Sequence, residues 1–316
     1  MVVRQKSRGG VQKVFAVDLH VHTRASHGEA NSADEVVTSA KEGGVKVVGV
    51  VDHDTVEGIR DVERARDSIY PELTVVPGVE LSTDYRRKDD AKPLKIHVLG
   101  YNMNPRDTAF SATLRFVRGV QKGMGERSIQ LLEHMAGECR KPVFISDELR
   151  YVVDRGQPNI REWVPKLLLA DERNAGLVEE IVRREGVSGT EGELWEKLQR
   201  VLKRYTRRER IQTKQAVRLL AVARGEPVIA HVLDDENDLH ILGERELMAV
   251  FRDLKRVGLA GLEAYHPSHT PEQVKFLEGA ARALGLKVTG GSDFHGRAGE
   301  YVGMCGMDEN PLGRRR

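Results

Sequence analysis

The chain has 316 residues, a formal net charge of +2, 40% hydrophobic and 31% charged residues. That is enough to bury a full core, and it is too polar for the run of roughly 20 apolar residues that a membrane helix needs, so no membrane partner is expected. Two cysteines, Cys139 and Cys305, form neither a disulfide ladder nor a zinc-knuckle spacing and suit a reducing compartment; residues 1–13 lack a signal-peptide core, so a cytoplasmic location is the expectation.

From residue 14 the pattern alternates strand and helix, which predicts a mostly parallel sheet or a barrel. Residues 14–22 are an apolar run with a polar end, and 45–51 are a second run rich in β-branched residues. Between them Ser32-Ala33-Asp34-Glu35 fits a capping box and Gly43-Gly44 a helix end, so a helix is expected over 33–42. Strands follow at 74–79, closing with Glu80, and at 94–100, containing His97. Over 105–225 the chain turns rich in Leu, Arg, Glu and Lys at helical spacing, as in Leu194, Leu198 and Leu202, and reads as an inserted helical subdomain. Its basic run, 197–210, suits a solvated helix face at least as well as an anionic partner. Alternation resumes with a strand at 227–231, a helix at 244–257 and a strand at 259–265. Thr270-Pro271-Glu272-Gln273 starts another helix, and a strand at 286–289 closes the pattern. The expected organisation is therefore 14–104 with 226–308 as one α/β domain, 105–225 as the insertion, and 1–13 and 309–316 as flexible basic ends.

The chemistry gathers at strand ends. Period-two alternation puts Asp18, His20 and His22 on one face of a strand. The other strands carry Asp52-His53-Asp54, Glu80, His97, His231, His266 with His269, and Asp293-Phe294-His295. In a barrel of parallel strands such ends face one rim, where active sites are built. Imidazoles and carboxylates together suit zinc, manganese or iron, and packed side by side they would repel or titrate one another unless cations held them; Glu80 is the candidate bridge between ions. Asp52 and Asp54 also fit turns, and Gly290-Gly291 before Ser292 fits a close backbone approach.

Seven ordered motifs resemble the PHP family, named for polymerase and histidinol phosphatase, and within it the TrpH-like branch that includes 3′,5′-nucleoside bisphosphate phosphatases. They are Asp18-Leu19-His20-Val21-His22-Thr23, Asp52-His53-Asp54-Thr55, Gly78-Val79-Glu80, His97-Val98-Leu99-Gly100, Ile229-Ala230-His231, Tyr265-His266-Pro267-Ser268-His269-Thr270 and Gly291-Ser292-Asp293-Phe294-His295. The resemblance implies a distorted seven-stranded (β/α) barrel with a helical insertion over the site. It implies two or three divalent ions, manganese, zinc or iron: one on His20, His22, Glu80 and Asp293, a second on Glu80, His97 and His231, and a third on His27, His53 and His295. The implied reaction is metal-dependent hydrolysis of phosphate monoesters, with a small phosphorylated nucleotide as substrate. Exonuclease action from the 5′ end of short single-stranded nucleic acid is a close variant, and a non-catalytic accessory module is the rival. Asp18 and Asp52 are the expected catalytic carboxylates. Arg127, His266 and His269 are expected to hold phosphate oxygens, the two histidines also to protonate the leaving group, since such side chains donate hydrogen bonds to anions. The chain departs from the branch pattern at Ser26-His27-Gly28, where aspartate is usual in place of histidine, at Val232 after His231, and at Gly156-Gln157-Pro158-Asn159.

Overall fold

The computed structural model describes residues 3–7, 10–27, 31–87, 92–104, 107–158, 160–187, 192–206 and 210–312, without the side chains of 3–7, 10–13, 27 and 109. The stretch expected to be an irregular basic end carries two strands, β1 (Val3–Ser7) and β2 (Gly10–Val14), paired antiparallel. Then come β3 (Val17–Val21), α1 (Arg24–His27), α2 (Ala33–Gly43), β4 (Val47–Val50), α3 (Glu57–Ile69), β5 (Thr74–Tyr85) and β6 (Leu94–Tyr101). A run of helices follows: α4 (Thr108–Cys139), α5 (Asp147–Arg155), α6 (Ile160–Leu169), α7 (Ala175–Arg184) and α8 (Leu194–Tyr205). The chain closes with β7 (Ile211–Gln212), α9 (Thr213–Val222), β8 (Glu226–Ile229), α10 (Glu244–Lys255), β9 (Gly261–Tyr265), α11 (Pro271–Leu284) and β10 (Lys287–Gly290).

Local chemistry accounts for the helix ends. Ser32 Oγ accepts from the Glu35 amide while the Glu35 carboxylate accepts from the Ser32 amide, and Gly44 ends α2 at φ 71°. Thr270 and Gln273 repeat the capping box at α11, with Pro271 at its first turn.

The strands form a mixed sheet in the order β10-β9-β8-β6-β5-β4-β3, with β7 beside the end of β5. The expectation of a mostly parallel sheet needs one correction. β6 runs antiparallel to both β5 and β8, with Glu80 opposite Leu99 and Val98 opposite Ile229. β5 continues past Glu80 to Tyr85, and the link to β6 is too short for the crossover of a dozen or more residues that parallel neighbours need. Leu19, Val51, Val76, Leu99, Tyr101, Val228 and Ala230 pack together as one buried cluster. On the opposite face of these strands Val79, Leu81, Ile96, Val98, Ile229 and Leu262 meet Val217 and Leu220 of α9 and Phe251 of α10. No ladder joins β10 to β3 among the described residues. Instead the segment after β10 bridges back: Val21 pairs with Phe294, the His22 amide donates to Phe294 O (3.1 Å), and the Phe294 amide donates to His20 O (3.3 Å).

By contacts the chain divides into two compact units, Met1–Leu114 with Ile211–Arg316, and Arg115–Arg210. The second is all helix, with its own core of Leu132, Leu149, Val164, Leu168, Val178, Leu198 and Leu202. It is narrower than the 105–225 expected for the insertion because α9 buries Ala216, Val217 and Leu220 against the sheet instead. No helix among the described residues is long and apolar enough to cross a membrane.

The approach of the last strand to the first leaves no space for a side chain at Gly291, where a Cβ would lie 2.3 Å from His20 Cβ and 2.4 Å from its amide nitrogen. Gly291→Ala should therefore lower unfolding free energy by about 3 kcal/mol. Gly119→Ala, in a helix with nothing within 4 Å of the added methyl, should be neutral or stabilising. Urea unfolding followed by circular dichroism checks both.

Candidate metal centre

All the histidines of the sheet-bearing unit that were singled out at strand ends, His27 apart, are buried or nearly so. The His27 side chain lies outside the described residues. Glu80, fully buried on β5, is the centre of the arrangement. Its Oε2 lies 3.4 Å from His20 Nε2, 3.3 Å from His22 Nε2 and 3.1 Å from His53 Nδ1. Its Oε1 lies 2.8 Å from His97 Nδ1 and 3.0 Å from His231 Nε2. Asp293 Oδ1 completes one corner, 3.2 Å from His20 Nε2 and 3.1 Å from His22 Nε2. The atoms expected to hold a first ion and those expected to hold a second thus converge on opposite oxygens of one carboxylate. His22, His53 and His295 form a further group of ring nitrogens within 4.8 Å of one another.

The residues fit cations better than they fit each other. His20 Nδ1 faces both oxygens of Glu263 at 3.1 Å, so a neutral His20 donates there and turns its Nε2 lone pair to the centre. That lone pair points at His22 Nε2, 3.1 Å away, and at carboxylate oxygens, which are acceptors too. Glu80 Oε2 is buried and accepts no hydrogen bond. Divalent ions of the zinc or manganese type satisfy such a convergence of lone pairs.

Electrostatics carries the same mark. Burial pushes the Glu80 carboxyl up, but the facing imidazoles of His53, His97 and His20 override it and hold it well below the usual range. Burial drives His97 down to about 4, against the pull of Glu80, and drives His295 down to about 4 with help from His22. Burial also lowers His20, His22 and His231, but the facing carboxylates override it, raising His22 to about 9 and the other two above the usual imidazole range; ions held there would displace those protons, since neutral imidazole is the form that ligates metal.

A second ring of groups aims the first. Asp18, expected as a catalytic carboxylate, accepts from the amides of His20 (3.1 Å), Ser292 (2.9 Å) and Gly303 (2.7 Å) and from Ser292 Oγ (2.6 Å). Burial raises it to about 6, the hydrogen bonds notwithstanding. Asp52, the other expected catalytic carboxylate, accepts from the Thr23 amide (2.7 Å), Thr23 Oγ1 (2.8 Å) and Ser26 Oγ (2.9 Å). Both tie down the loops that carry His22 and Asp293. Asp54, His231 and Asp293 take positive φ of 53°, 21° and 52°, a costly backbone for residues with a Cβ that clusters at functional sites.

His266 and His269 differ sharply. His266 Nδ1 lies 2.8 Å from Ser268 Oγ and 3.3 Å from the Ser268 amide, which donates to it, and its Nε2 is buried 3.7 Å from Asp293 Oδ2. His269 spends both nitrogens on backbone, Nδ1 donating to Ala264 O (2.8 Å) and Nε2 accepting from the Leu233 amide (3.0 Å). Arg127 belongs to the helical unit, on α4, where its charge and that of Arg210 act on Arg161.

Two residues escaped the sequence reading. Glu263 is fully buried on β9, holding His20 and accepting from the His231 amide (2.6 Å); a charged residue inside an apolar strand was the available signal. Glu236 brings a carboxylate oxygen within 4.8 Å of one ring nitrogen each of His97 and His231, and no local pattern marks it.

No family model matches the chain. Similarity to characterised proteins nonetheless runs nearly end to end. A 5′-3′ exoribonuclease of Haemophilus influenzae is 27% identical over 279 residues, 88% of this chain and 89% of that protein. A phosphoribosyl 1,2-cyclic phosphate 1,2-diphosphodiesterase of Eggerthella lenta is 25% identical, over 91% of this chain and 97% of its own. A 3′,5′-nucleoside bisphosphate phosphatase of Chromobacterium violaceum is 24% identical, over 91% and 90%. The names of these relatives agree with the PHP resemblance carried by the seven motifs. A solved structure from Bifidobacterium adolescentis, assigned as a metal-dependent phosphoesterase, has a similar fold, with a TM-score of 0.62 at 22% identity, over 92% of this chain and 93% of its own.

If Glu80 bridges ions in this centre, Glu80→Ala should reduce bound zinc or manganese from about two equivalents to below one, whereas His295→Ala should remove at most one. Glu263→Gln, which keeps shape but weakens the grip on His20, should lower metal affinity about 10- to 100-fold. Elemental analysis after desalting and chelator competition measure these effects.

Proposed function

We propose that this chain is a metal-dependent phosphoesterase that hydrolyses phosphate monoesters of nucleotides, 3′,5′-nucleoside bisphosphates among them. The observation that carries the proposal is Glu80, whose two oxygens each face a separate set of imidazoles. Two or three ions of manganese, zinc or iron held there would offer Lewis acidity toward phosphate oxygens and a water acidic enough to react near neutral pH. The residues supply the rest. His20, His22, Glu80 and Asp293 hold one position, Glu80, His97 and His231 the second, and His53 and His295, with His27, the third.

No side chain need act as nucleophile. The His266 Nε2 proton, fixed by the bond that Nδ1 accepts from the Ser268 amide, is the proton we assign to the departing alkoxide. Asp18, Asp52 and His269 hold backbone and loops around the site. In this reading the sheet is a distorted seven-stranded barrel, its first and last strands meeting through the Val21–Phe294 bridge. The cysteine usage supports a cytoplasmic setting.

The Haemophilus influenzae relative favours a second reading, removal of nucleotides from the 5′ end of short RNA, which needs the same centre and a longer substrate groove. An accessory module without catalysis fits poorly, because such a module has no need of so many converging ligands.

Phosphate release from a panel of 3′,5′-bisphosphates, 5′-monophosphates and short 5′-phosphorylated RNAs, with and without chelator, tests the proposal. Bisphosphates should be cleaved and chelator should abolish cleavage. His266→Asn should lower kcat about 10²- to 10⁴-fold while leaving metal content intact. Metal-loaded protein that cleaves none of the panel would establish the accessory reading.

A further inference from the structure

The second ion position has a feature beyond the ligand set assigned above. Three protein ligands, Glu80, His97 and His231, are the number that a catalytic zinc site uses when it keeps one position open for water or substrate. Here a fourth group stands beside that position. A Glu236 carboxylate oxygen and one ring nitrogen each of His97 and His231 lie within 4.8 Å of one another.

This placement is built rather than incidental to a surface loop. Asn237, the next residue, is fully buried, and its side-chain NH₂ donates to Ala230 O (2.6 Å) and His231 O (3.2 Å) while its Oδ1 accepts from the His97 amide (2.7 Å). One amide thereby clips the Glu236 backbone to both ligand-bearing segments. The Glu236 amide donates to Asp234 Oδ1 (2.8 Å), and the Asp234 amide donates to His231 O (2.9 Å), so the turn is locked from both sides. The carboxylate itself stays free to move: its side chain is 49% exposed, and its other neighbour is Lys95, whose ammonium is 3.9 Å from Oε2.

We propose that Glu236 is an exchangeable fourth ligand of the second ion, which closes that position when no substrate is present and gives it up to a phosphate oxygen, swinging to Lys95. The inference rests on the metal centre described above and adds to it a competitor for substrate. Two divalent cations outweigh the charges of Glu80, Asp293 and Glu263, and the Glu236 carboxylate offsets the excess that an incoming phosphate otherwise meets alone. Lys95 offers the displaced carboxylate an ion pair at the surface, where such a pair is worth little, so the exchange is shallow in both directions.

The test uses two opposed readouts on the full chain, Glu236→Gln against the unsubstituted protein. With zinc or manganese alone, chelator competition should show the weaker equivalent bound about tenfold more loosely. With the metal-loaded variant, inorganic phosphate should bind more tightly, read by calorimetry, because no carboxylate has to be displaced. Unchanged metal affinity, or phosphate binding that is unchanged or weaker, overturns the proposal. A partly exposed side chain replaced by its isostere leaves folding untouched. Should the unsubstituted protein bind no metal, the centre itself is wrong. Should it bind about two equivalents, with the variant indistinguishable, this inference alone falls.

Discussion

One buried carboxylate organises the molecule's chemistry. Glu80 is fully enclosed, yet five imidazoles lie within 3.4 Å of its two oxygens. Removing such a charge from water is expensive, and positive charge beside it, on protonated imidazoles or on cations that replace their protons, offsets the cost. The antiparallel placement of β6 between β5 and β8 is what brings His97 alongside Glu80, because neighbouring antiparallel strands exchange side chains across a short gap. The mixed sheet is therefore a requirement of the site as much as of the core.

Around this lies a layer of acids that hold the centre from outside, Glu263 on the far nitrogen of His20 and the others on backbone and hydroxyl groups. Asp18, Asp52 and Glu263 are fully or almost fully buried, and each accepts from backbone amides of residues that carry ligands or from the loops beside them. The positive φ of Asp293 and Asp54 is sustained by this layer, since strained backbone persists only where surroundings over-determine it. Rigid placement of ligands before ions arrive reduces what binding must reorganise.

Much of this was legible in the residues. The His20–His22 pair on one strand face and the motif at 291–295 announced ligands, because a period of two leaves few places for alternate side chains to point. Capping chemistry at Ser32 and Thr270 marked helix starts within a residue of those observed. The direction of β6 was hidden, since an apolar run reads the same either way along the chain. The extent of β5 was hidden as well, because Glu80 looks like a strand end when burial cannot be seen. Roles were hardest: Asp18, Asp52, His266 and His269 all resemble catalytic groups on paper, and their hydrogen-bond partners become visible only in the folded chain. Glu263 and Glu236 depend on residues far off in sequence for their meaning, so no local window could mark them.

The stitching between β3 and the segment past β10 has a further consequence. Asp18 takes its partners from Ser292 and Gly303, and His20 and His22 share hydrogen bonds with Phe294. A ribosome must thus add more than 270 residues after His22 before that histidine and its neighbours acquire their supports. The nascent N-terminal segment emerges with two histidines and a bridging acid already in hand but with no Asp293 beside them, and any ion it captures then is held by an unfinished set.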